Sequence, residues 1–276
     1  MNLDDTLTLE QLSVSFSTDD GVLPAVHAVS LSLPPAGITC LVGESGCGKS
    51  LTARAILHLL PENAHISGRI LFRGRDLRTM TPEEMRALRG RHIAMIFQEP
   101  MTSLNPVLKV GMQTAEPLRL HLGLSRSEAR REVVRLFSEV GIPAAESRYD
   151  DYPHQLSGGM RQRVALIRTL ATGPDILLLD EAFSALDYQT RLNVTDDVYR
   201  ILKREQVTTL MVTHDIPESI SMGDKILVLS ARPAQVKEIL SVDFGPGRSP
   251  LSCRANRQFG PYFDHIWKEL STDEKS

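Results

Sequence analysis

A short glycine-rich stretch, GESGCGKS from Gly43 to Ser50, holds residue types that can bind an anion. It fits the pattern Gly-x-x-x-x-Gly-Lys-Ser through Gly43, Gly48, Lys49 and Ser50. Glycines let successive backbone N–H groups turn inward around an anion, and the helix that follows directs its positive end to the same point. Lys49 adds a full charge, and the Ser50 hydroxyl can ligate Mg²⁺. The stretch therefore predicts a site for nucleotide phosphates rather than a plain glycine-rich turn.

Two adjacent acids, Asp180 and Glu181, end the apolar run ILLL and supply groups that a phosphate loop lacks. Asp180, at the end of a buried strand, can hold Mg²⁺ and its water shell, and Glu181 can polarise a water opposite the γ-phosphate. Two acids at a strand end are common in isolation. Because the phosphate loop is also present, we interpret them as a metal ligand and a general base.

A second stretch, LSGGMRQR from Leu156 to Arg163, begins another helix with exposed backbone donors. Ser157 can cap this helix, and Gly158 and Gly159 leave its first N–H groups accessible to an anion. An ordinary serine cap on a turn loosened by glycines would explain the same residues. The residues alone leave both interpretations open.

These stretches must be positioned by strands that alternate with helices. Segments with apolar runs or alternation typical of strands are Leu7–Phe16, Ala25–Leu33, Asp175–Glu181, Thr208–His214 and Lys225–Ser230, together with GITCLVG, ISGRILFRG and RHIAMIF. A helix with one apolar face is predicted from Lys49 to Leu60. From about Pro100 to Gly158 the pattern is helical, with no convincing strand. Alternating strands and helices favour a parallel sheet covered on both faces.

The predicted domains follow from this pattern. They are a nucleotide-binding core of residues 1–98 and 160–230, a helical subdomain of residues 99–159 and a C-terminal tail of residues 231–276. The tail is rich in Gly, Pro and Arg between Phe244 and Phe263, and no firm structure is predicted for it.

The composition argues against several other classes of protein. The chain has 276 residues, a net charge of −3, 42% apolar and 24% charged residues, which is typical of a globular protein without a general attraction to nucleic acid. Three scattered cysteines do not make a disulfide framework or a metal-ligand spacing. We expect no signal peptide, and no run approaches the ~20 apolar residues of a membrane span.

Taken together, the motifs resemble those of the ATP-binding cassette (ABC) ATPases, in the family's order from about Leu7 to Ser230. GESGCGKS is similar to the Walker A loop, LSGGMRQR to the signature motif, ILLLDE to Walker B, SALD (Ser184–Asp187) to the D-loop, THD (Thr213–Asp215) to the switch histidine and FQEP (Phe97–Pro100) to the Q-loop. The resemblance implies an α/β fold. It would have a P-loop NTPase (RecA-like) core with a parallel sheet, N-terminal antiparallel strands and an inserted α-helical subdomain.

The resemblance also implies roles for individual residues. In the family, two cassettes pair head to tail, so the signature of one closes over ATP held by the Walker A loop of the other. The implied ATP-binding residues are Phe16, Gly43, Glu44, Ser45, Gly46, Cys47, Gly48, Lys49, Ser50 and Leu51, and those contacting ATP in trans are Ser157, Gly158, Gly159 and Asp187. The implied catalytic residues are Glu181, His214 and Gln98, and the implied metal ligands are Ser50, Gln98 and Asp180.

Some of these positions have plainer explanations. Phe16, which would stack on adenine, also suits a core position, and His214 suits the polar end of a strand. Asp187 can cap the next helix as well as contact a partner. Cys47 lies inside the phosphate loop, so we expect a maleimide to inactivate the enzyme and ATP to protect it. The alternative is that Cys47 is only a small filler residue. Ala182 replaces the family's usual proline, which we expect to affect the turn rather than the chemistry.

The type of cassette is indicated by two segments that disagree. MIFQEPMTSLNPVLKVG (Met95–Gly111) closely resembles dipeptide, oligopeptide and nickel importer ATPases, whereas ILVLSARPAQVKEIL is more similar to nitrate, sulfonate and taurine importer ATPases. In the family the first segment borders the groove that receives the permease, so we give it more weight. We expect an ATP- and Mg²⁺-dependent ATPase, peripheral at the cytoplasmic face of the plasma (inner) membrane, that energises uptake of peptides or nickel.

The expected partners are a second ABC ATPase subunit, identical or different, transmembrane permease subunits and, indirectly, an extracytoplasmic solute-binding protein. We expect no nucleic acid. One alternative is a nitrate/sulfonate-type importer ATPase, and another is a soluble ABC ATPase outside transport, in DNA repair or translation. The sequence lacks the coiled coils, zinc modules or tandem cassettes usual in the latter, and the importer-like Q-loop segment argues against an exporter.

Overall fold

The computed structural model describes residues 6–98 and 104–271. Its strands are Leu7–Thr18 (β1), Gly21–Leu33 (β2), Ile38–Val42 (β3), Ala64–Phe72 (β4), Arg75–Asp76 (β5), Ile93–Ile96 (β6), Ile176–Asp180 (β7), Thr208–Thr213 (β8), Lys225–Leu229 (β9) and Val236–Ser241 (β10). Its α-helices are Lys49–Ile56 (α1), Pro82–Leu88 (α2), Val110–Leu122 (α3), Arg126–Glu139 (α4), Ala145–Arg148 (α5), Gly158–Leu170 (α6), Tyr188–Arg204 (α7), Ile216–Met222 (α8), Pro250–Arg254 (α9) and Phe259–Ser271 (α10). Short 3₁₀ helices span Leu77–Thr79 and Pro153–Gln155.

A six-stranded sheet, in the order β10-β9-β3-β8-β7-β6, carries the predicted site. Its strands are parallel except β10, which pairs antiparallel with β9. Strands β3, β7 and β8 are buried along their whole length, as expected for parallel strands covered on both faces. Because parallel strands end at one edge, the glycine loop after Val42, the acids at Asp180 and Glu181, and His214 after Thr213 all lie along that edge.

A second sheet of four antiparallel strands, in the order β2-β1-β4-β5, forms the N-terminal part. Its buried face is apolar and includes Leu7, Leu9, Leu12 and Val14 of β1, which belong to the same hydrophobic cluster as α1 residues such as Ile56. The α/β fold with N-terminal antiparallel strands is therefore confirmed.

Between β6 and β7, the regular elements of residues 104–175 are all helices joined by loops, and no strand occurs there. Helix α4 begins at a capping box, in which the Ser125 side chain accepts from the Glu128 backbone and Glu128 accepts from the Ser125 backbone. Ala129, Val133 and Phe137, four residues apart, form its buried face. Residues 99–103, which include the end of the predicted Q-loop and the start of the predicted subdomain, lie outside the described residues, and the domain boundaries stay a prediction.

Helix α1 is shorter than the sequence pattern predicted. It ends at Ile56 rather than Leu60, and His58 adopts a left-handed conformation with φ of 52°. The guanidinium of Arg89 donates to the Leu57 carbonyl oxygen from Nε at 2.9 Å and from Nη2 at 2.7 Å. A side chain 32 residues away thus satisfies a carbonyl at the helix end, a contact that local periodicity cannot show.

The tail, for which no structure was predicted, is folded from Val236 to Ser271 through β10, α9 and α10. Ala234 bridges to Val26 of β2, so the tail connects the two sheets. Ile266 of α10 is fully buried in the main core cluster. Within residues 6–98 and 104–271, no helix combines the length and the apolar character needed to cross a bilayer.

Candidate nucleotide site

The glycine loop joins the end of β3 to the start of α1. Gly48 has φ of 122°, a conformation that residues with a side chain rarely adopt, and a Cβ there would lie 2.8 Å from the Ala25 carbonyl oxygen. The position therefore requires glycine for both backbone geometry and space. This close approach to β2 fixes the loop against the N-terminal sheet.

Lys49 is held inside the loop by backbone carbonyls. Its side chain is buried, and Nζ donates to the carbonyl oxygens of Gly43 at 2.8 Å and Glu44 at 2.6 Å. Among the described residues no carboxylate pairs with this ammonium group. A buried cation with only neutral partners favours an anionic ligand, which supports the predicted phosphate site.

Asp180 lies beside the loop and has the properties of a metal ligand. It is fully buried, and its Oδ1 accepts from the Ser50 hydroxyl at 2.5 Å. Its Oδ2 has no hydrogen-bond partner, although Arg54 Nη2 lies 3.5 Å away as an ion pair. Burial raises the pKa of this carboxyl, while the Ser50 hydrogen bond and the Arg54 charge oppose the rise. A buried carboxylate oxygen without a hydrogen bond, next to a hydroxyl, suits a hard divalent cation such as Mg²⁺.

Glu181 is the point where three separate segments of the chain meet. Its Oε2 lies 3.2 Å from Gln98 Nε2 and 3.2 Å from His214 Nδ1. Its side chain is only 13% exposed, and its φ of 48° places it in the left-handed region, with the backbone N–H bound to the Val212 carbonyl oxygen at 2.9 Å. Backbone strain of this kind, about 1–3 kcal/mol, is found where the surrounding structure holds a functional side chain in place.

The signature residues form a second group at the starts of α6 and α7. Ser157 caps α6 by accepting from the Met160 backbone N–H at 3.3 Å, and a Cβ on Gly159 would lie 3.3 Å from Thr190 Cγ2. Asp187 caps α7 by accepting from the Thr190 backbone N–H at 3.0 Å, and the side chain and backbone of Thr190 together lower the pKa of its carboxyl. Within the described parts of the chain, no hydrogen bond or ion pair joins this group to the glycine loop.

The remaining predicted residues lie around the loop or apart from it. Phe16 is half-buried, pairs with Leu23 in the antiparallel sheet and packs on that sheet's apolar cluster. Cys47 is 2% exposed, and burial raises the pKa of its thiol, which favours a filler role. Glu44 and Leu51 are half-buried, whereas Ser45 and Gly46 are exposed.

Two residues at the site were missed by the sequence analysis. Arg54 follows Ser50 by four positions, so a helical-wheel argument would have placed it on the same face near Asp180. Gln162 of α6 is buried, and its Nε2 donates to the Ala182 carbonyl oxygen at 2.6 Å. This bond joins the signature helix to the turn after Glu181, and no local sequence pattern predicts it.

A glycine loop at the carboxyl edge of a parallel sheet, with a buried acid at the end of the next strand but one, defines a P-loop nucleotide-binding protein. A family profile described as ABC transporter matches residues 26–184. The chain is 42% identical over 231 residues to the dipeptide transport ATP-binding protein DppD of Bacillus subtilis, covering 83% of this chain and 69% of that one. It is 40% identical over 228 residues to the oligopeptide transport ATP-binding protein OppD of Escherichia coli, covering 83% and 68%.

A solved dimeric structure of the ATP-binding cassette MJ0796, bound to ADP and Pi, superposes with a TM-score of 0.73 at 24% identity, covering 87% of this chain and all of that one. That likeness supports the fold alone. The profile and the two relatives show that the chain belongs to the ABC transporter family. It is an ATP-binding, ATP-hydrolysing chain of that family, as the motifs predicted.

Proposed function

We propose that the chain is the ATP-hydrolysing subunit of an importer for dipeptides or longer peptides. The observation that carries this proposal is the identity of 42% and 40%, over 83% of the chain, to proteins named for dipeptide and oligopeptide transport. The predicted resemblance of the segment Met95–Gly111 to such importers points the same way. Neither relative is named for nickel, nitrate or sulfonate. Nickel is therefore only a comparison solute in the transport experiment below. The nitrate/sulfonate alternative and a role outside transport are not favoured.

In this proposal, the residues at the sheet edge bind and hydrolyse ATP. Lys49 and the N–H groups of the glycine loop bind the phosphates, and Phe16 contacts the adenine. Glu181 accepts the proton of the attacking water as its oxygen bonds to the γ-phosphorus and the bond to the β,γ-bridging oxygen breaks. Gln98 orients that water, and His214 contacts the γ-phosphate. The shared contact of both side chains with Glu181 Oε2 supports these roles.

The proposed Mg²⁺ site consists of Ser50, Asp180 and Gln98. A bound magnesium ion would neutralise charge on the β- and γ-phosphates. Arg54 lies on the buried oxygen of Asp180, where it balances the carboxylate charge by a contact of 3.5 Å. Because the Arg54 guanidinium carries a permanent positive charge, it would also compete with Mg²⁺ for that oxygen.

We further propose that Ser157, Gly158, Gly159 and Asp187 contact ATP bound by a second ABC ATPase subunit, identical or different. Ser157, Gly158 and Gly159 begin a helix whose first N–H groups can bind an anion, and Asp187 caps the start of α7 beside it. The helical subdomain of residues 99–159 would contact transmembrane permease subunits at the cytoplasmic face of the membrane. An extracytoplasmic solute-binding protein would act only through those permeases.

The variant Glu181→Gln tests the proposed hydrolytic site. It should bind ATP as the parent does, lose turnover by a factor of about 10²–10⁴ and accumulate an ATP-bound dimer, because the general base is removed while the phosphate contacts remain. Phosphate release and light scattering after gel filtration measure the two effects. Glu62→Gln, at an exposed position, is the matched control. A monomeric Glu181→Gln protein with normal turnover would refute the assignment of Glu181 as the general base.

Isolation of the assembled transporter tests the solute. The full chain, solubilised with its natural membrane in mild detergent, should co-purify with multispanning membrane proteins. Reconstituted in vesicles, the complex should hydrolyse ATP faster with dipeptides or oligopeptides than with nickel, nitrate or sulfonate. Stimulation by nickel or by the anions alone would contradict peptide uptake, and co-purification with ribosomes or DNA would contradict transport.

A further inference from the structure

Arg191 of α7 joins two loops that both carry parts of the site. Its Nη1 donates to Asp215 Oδ2 at 3.1 Å, and its Nη2 donates to the carbonyl oxygens of Leu186 at 2.9 Å and Ser184 at 3.4 Å. The side chain is only 24% exposed. One guanidinium therefore holds the Ser184–Asp187 segment and the loop after His214 at the same time.

Three hydrogen bonds hold the loop after His214 in place. Asp215 caps α8 by accepting from the Glu218 backbone N–H at 2.9 Å, and its own N–H donates to Thr213 Oγ1 at 3.0 Å. The Thr213 hydroxyl donates to Glu218 Oε2 at 2.5 Å. His214 lies between Thr213 and Asp215, so a shift of the Asp215 carboxylate would displace His214 with it.

Two hydrogen bonds likewise join the Ser184–Asp187 segment to Glu181, the proposed general base. Ser184 Oγ donates to the Glu181 carbonyl oxygen at 2.9 Å, and the Ser184 N–H reaches that same oxygen at 3.1 Å. Through Ser184, Arg191 is thus two hydrogen bonds from the backbone of Glu181. Through Asp215, Arg191 is one hydrogen bond and one peptide bond from His214.

The chemistry of the side chain suits a bridge rather than a simple charge pair. A planar guanidinium directs its donors along fixed, divergent lines, so it can serve a carboxylate on one loop and carbonyls on another, which a single ammonium cannot do with the same geometry. No hydrogen bond or ion pair among the described residues joins Arg191 to the glycine loop. It acts on the site from outside the ATP contacts.

We propose that Arg191 is a positioning residue that couples the Ser184–Asp187 segment to Glu181 and His214. This inference rests on the proposed function, in which Asp187 contacts the partner's ATP site while Glu181 and His214 act in their own. When the partner subunit engages Ser184–Asp187, the guanidinium transmits the displacement to His214 and the turn after Glu181. The two ATP sites of a dimer then hydrolyse cooperatively rather than independently.

The test compares Arg191→Gln and Arg191→Lys with the parent chain, using Arg200→Gln as the matched control. Arg200 lies on the same helix, is 65% exposed and pairs only with Asp196 and Asp197 among the described residues. ATP affinity of the monomer should change by less than about twofold in every variant, because none touches the phosphate loop. Arg191→Gln should lower kcat at least about tenfold and bring the Hill coefficient for ATP to about 1. Arg200→Gln should match the parent.

Arg191→Lys distinguishes positioning from folding. If Arg191→Gln does not fold, the lysine variant decides, because it keeps the charge beside Asp215 but cannot serve both loops. A lysine variant with the parent's kcat and Hill coefficient would overturn the inference, as would equal losses of ATP affinity and kcat. In a double-mutant cycle with Asp215→Asn, the losses in kcat should be less than additive, and fully additive losses would also overturn it.

The variant Glu181→Gln distinguishes a failure of the proposed function from a failure of the coupling role of Arg191. If Glu181→Gln hydrolyses ATP normally, the proposed hydrolytic site itself fails. If Glu181→Gln is inactive while both Arg191 variants behave as the parent chain does, the proposed function stands and only the coupling role of Arg191 is wrong.

Discussion

The buried carboxyl of Glu218 makes the stability of the protein dependent on pH in a defined direction. Glu218 lies in α8 and is 5% exposed, and burial raises its pKa from 4.5 to about 7, although the Thr213 hydrogen bond opposes the rise. Between those two values the native state retains a proton that the unfolded chain has released. The contribution of Glu218 to the free energy of unfolding therefore falls as the pH rises through this interval.

The size of the effect follows from the same two values. The interval from 4.5 to about 7, at about 1.36 kcal/mol per pH unit, corresponds to about 3 kcal/mol of stability that is present at low pH and lost above about pH 7. That is a large part of the ~5–15 kcal/mol by which a domain is stable. Glu218→Gln keeps a polar group beside the Thr213 hydroxyl but cannot ionise, so it should escape this loss.

Urea unfolding at intervals between pH 5 and pH 8, on the parent chain and on Glu218→Gln, measures the effect. The stability of the variant minus that of the parent should increase by about 2–3 kcal/mol across the range, whatever other groups titrate in both proteins. Glu62→Gln, at an exposed position, should run parallel to the parent. Parallel curves for Glu218→Gln as well would show that the pKa of this carboxyl is not raised in the native protein, and the prediction would then be wrong.

Three further predictions concern the two halves of the site. Ser157→Arg should abolish ATP turnover while each monomer still binds ATP, because the lesion lies in the proposed trans contact, as filter binding and phosphate release will measure. Gly48→Ala should cost at least about 2 kcal/mol of unfolding free energy and weaken ATP binding, because the new Cβ meets the Ala25 carbonyl oxygen at 2.8 Å. Cys47, 2% exposed, should react with a maleimide at least about a hundredfold more slowly than in the urea-unfolded chain, with or without ATP, as mass spectrometry will measure.

Each of these predictions has a contradicting outcome. Loss of ATP binding in monomeric Ser157→Arg would argue against a trans role. Gly46→Ala is the control for Gly48→Ala, because Gly46 also has a positive φ, 78°, but no atom within 4 Å of a new Cβ. Equal losses of stability in the two alanine variants would show that space is not limiting at Gly48. If the maleimide inactivates the protein rapidly and ATP prevents this inactivation, Cys47 is accessible and reactive, and the prediction of slow reaction is wrong.

The parts of the fold that the sequence predicted are those set by local patterns. The strand before the glycine loop is five apolar or small residues, all buried, and the loop pattern itself demands glycine where Gly48 adopts φ of 122°. Helix α4 lies within the segment predicted to be helical, because its cap at Ser125, its apolar spacing and the glycine at position 141 are all encoded within the helix and its ends. Such features need no knowledge of distant residues.

The parts that the sequence did not predict depend on distant contacts. The end of α1 at Ile56 depends on Arg89, which lies in another segment of the chain. Strand β10 is an edge strand whose residues are half-exposed or exposed, so its hydrophobic pattern is weak, and its pairing is decided by β9. Likewise the motifs identified Gln98, Glu181 and His214 one by one, but their meeting at one carboxylate oxygen depends on how three strands are arranged.

The bridge between Ala234 and Val26, with β10 covering β9, has a consequence for anyone who shortens the chain. A fragment that ended at Ser230, just after the last motif, would retain every residue assigned to ATP. It would leave the backbone donors and acceptors on the β10 side of β9 unpaired along an apolar edge. Such edges recruit strands from other molecules. We expect that fragment to precipitate during expression, so a minimal active cassette should extend at least through Ser241.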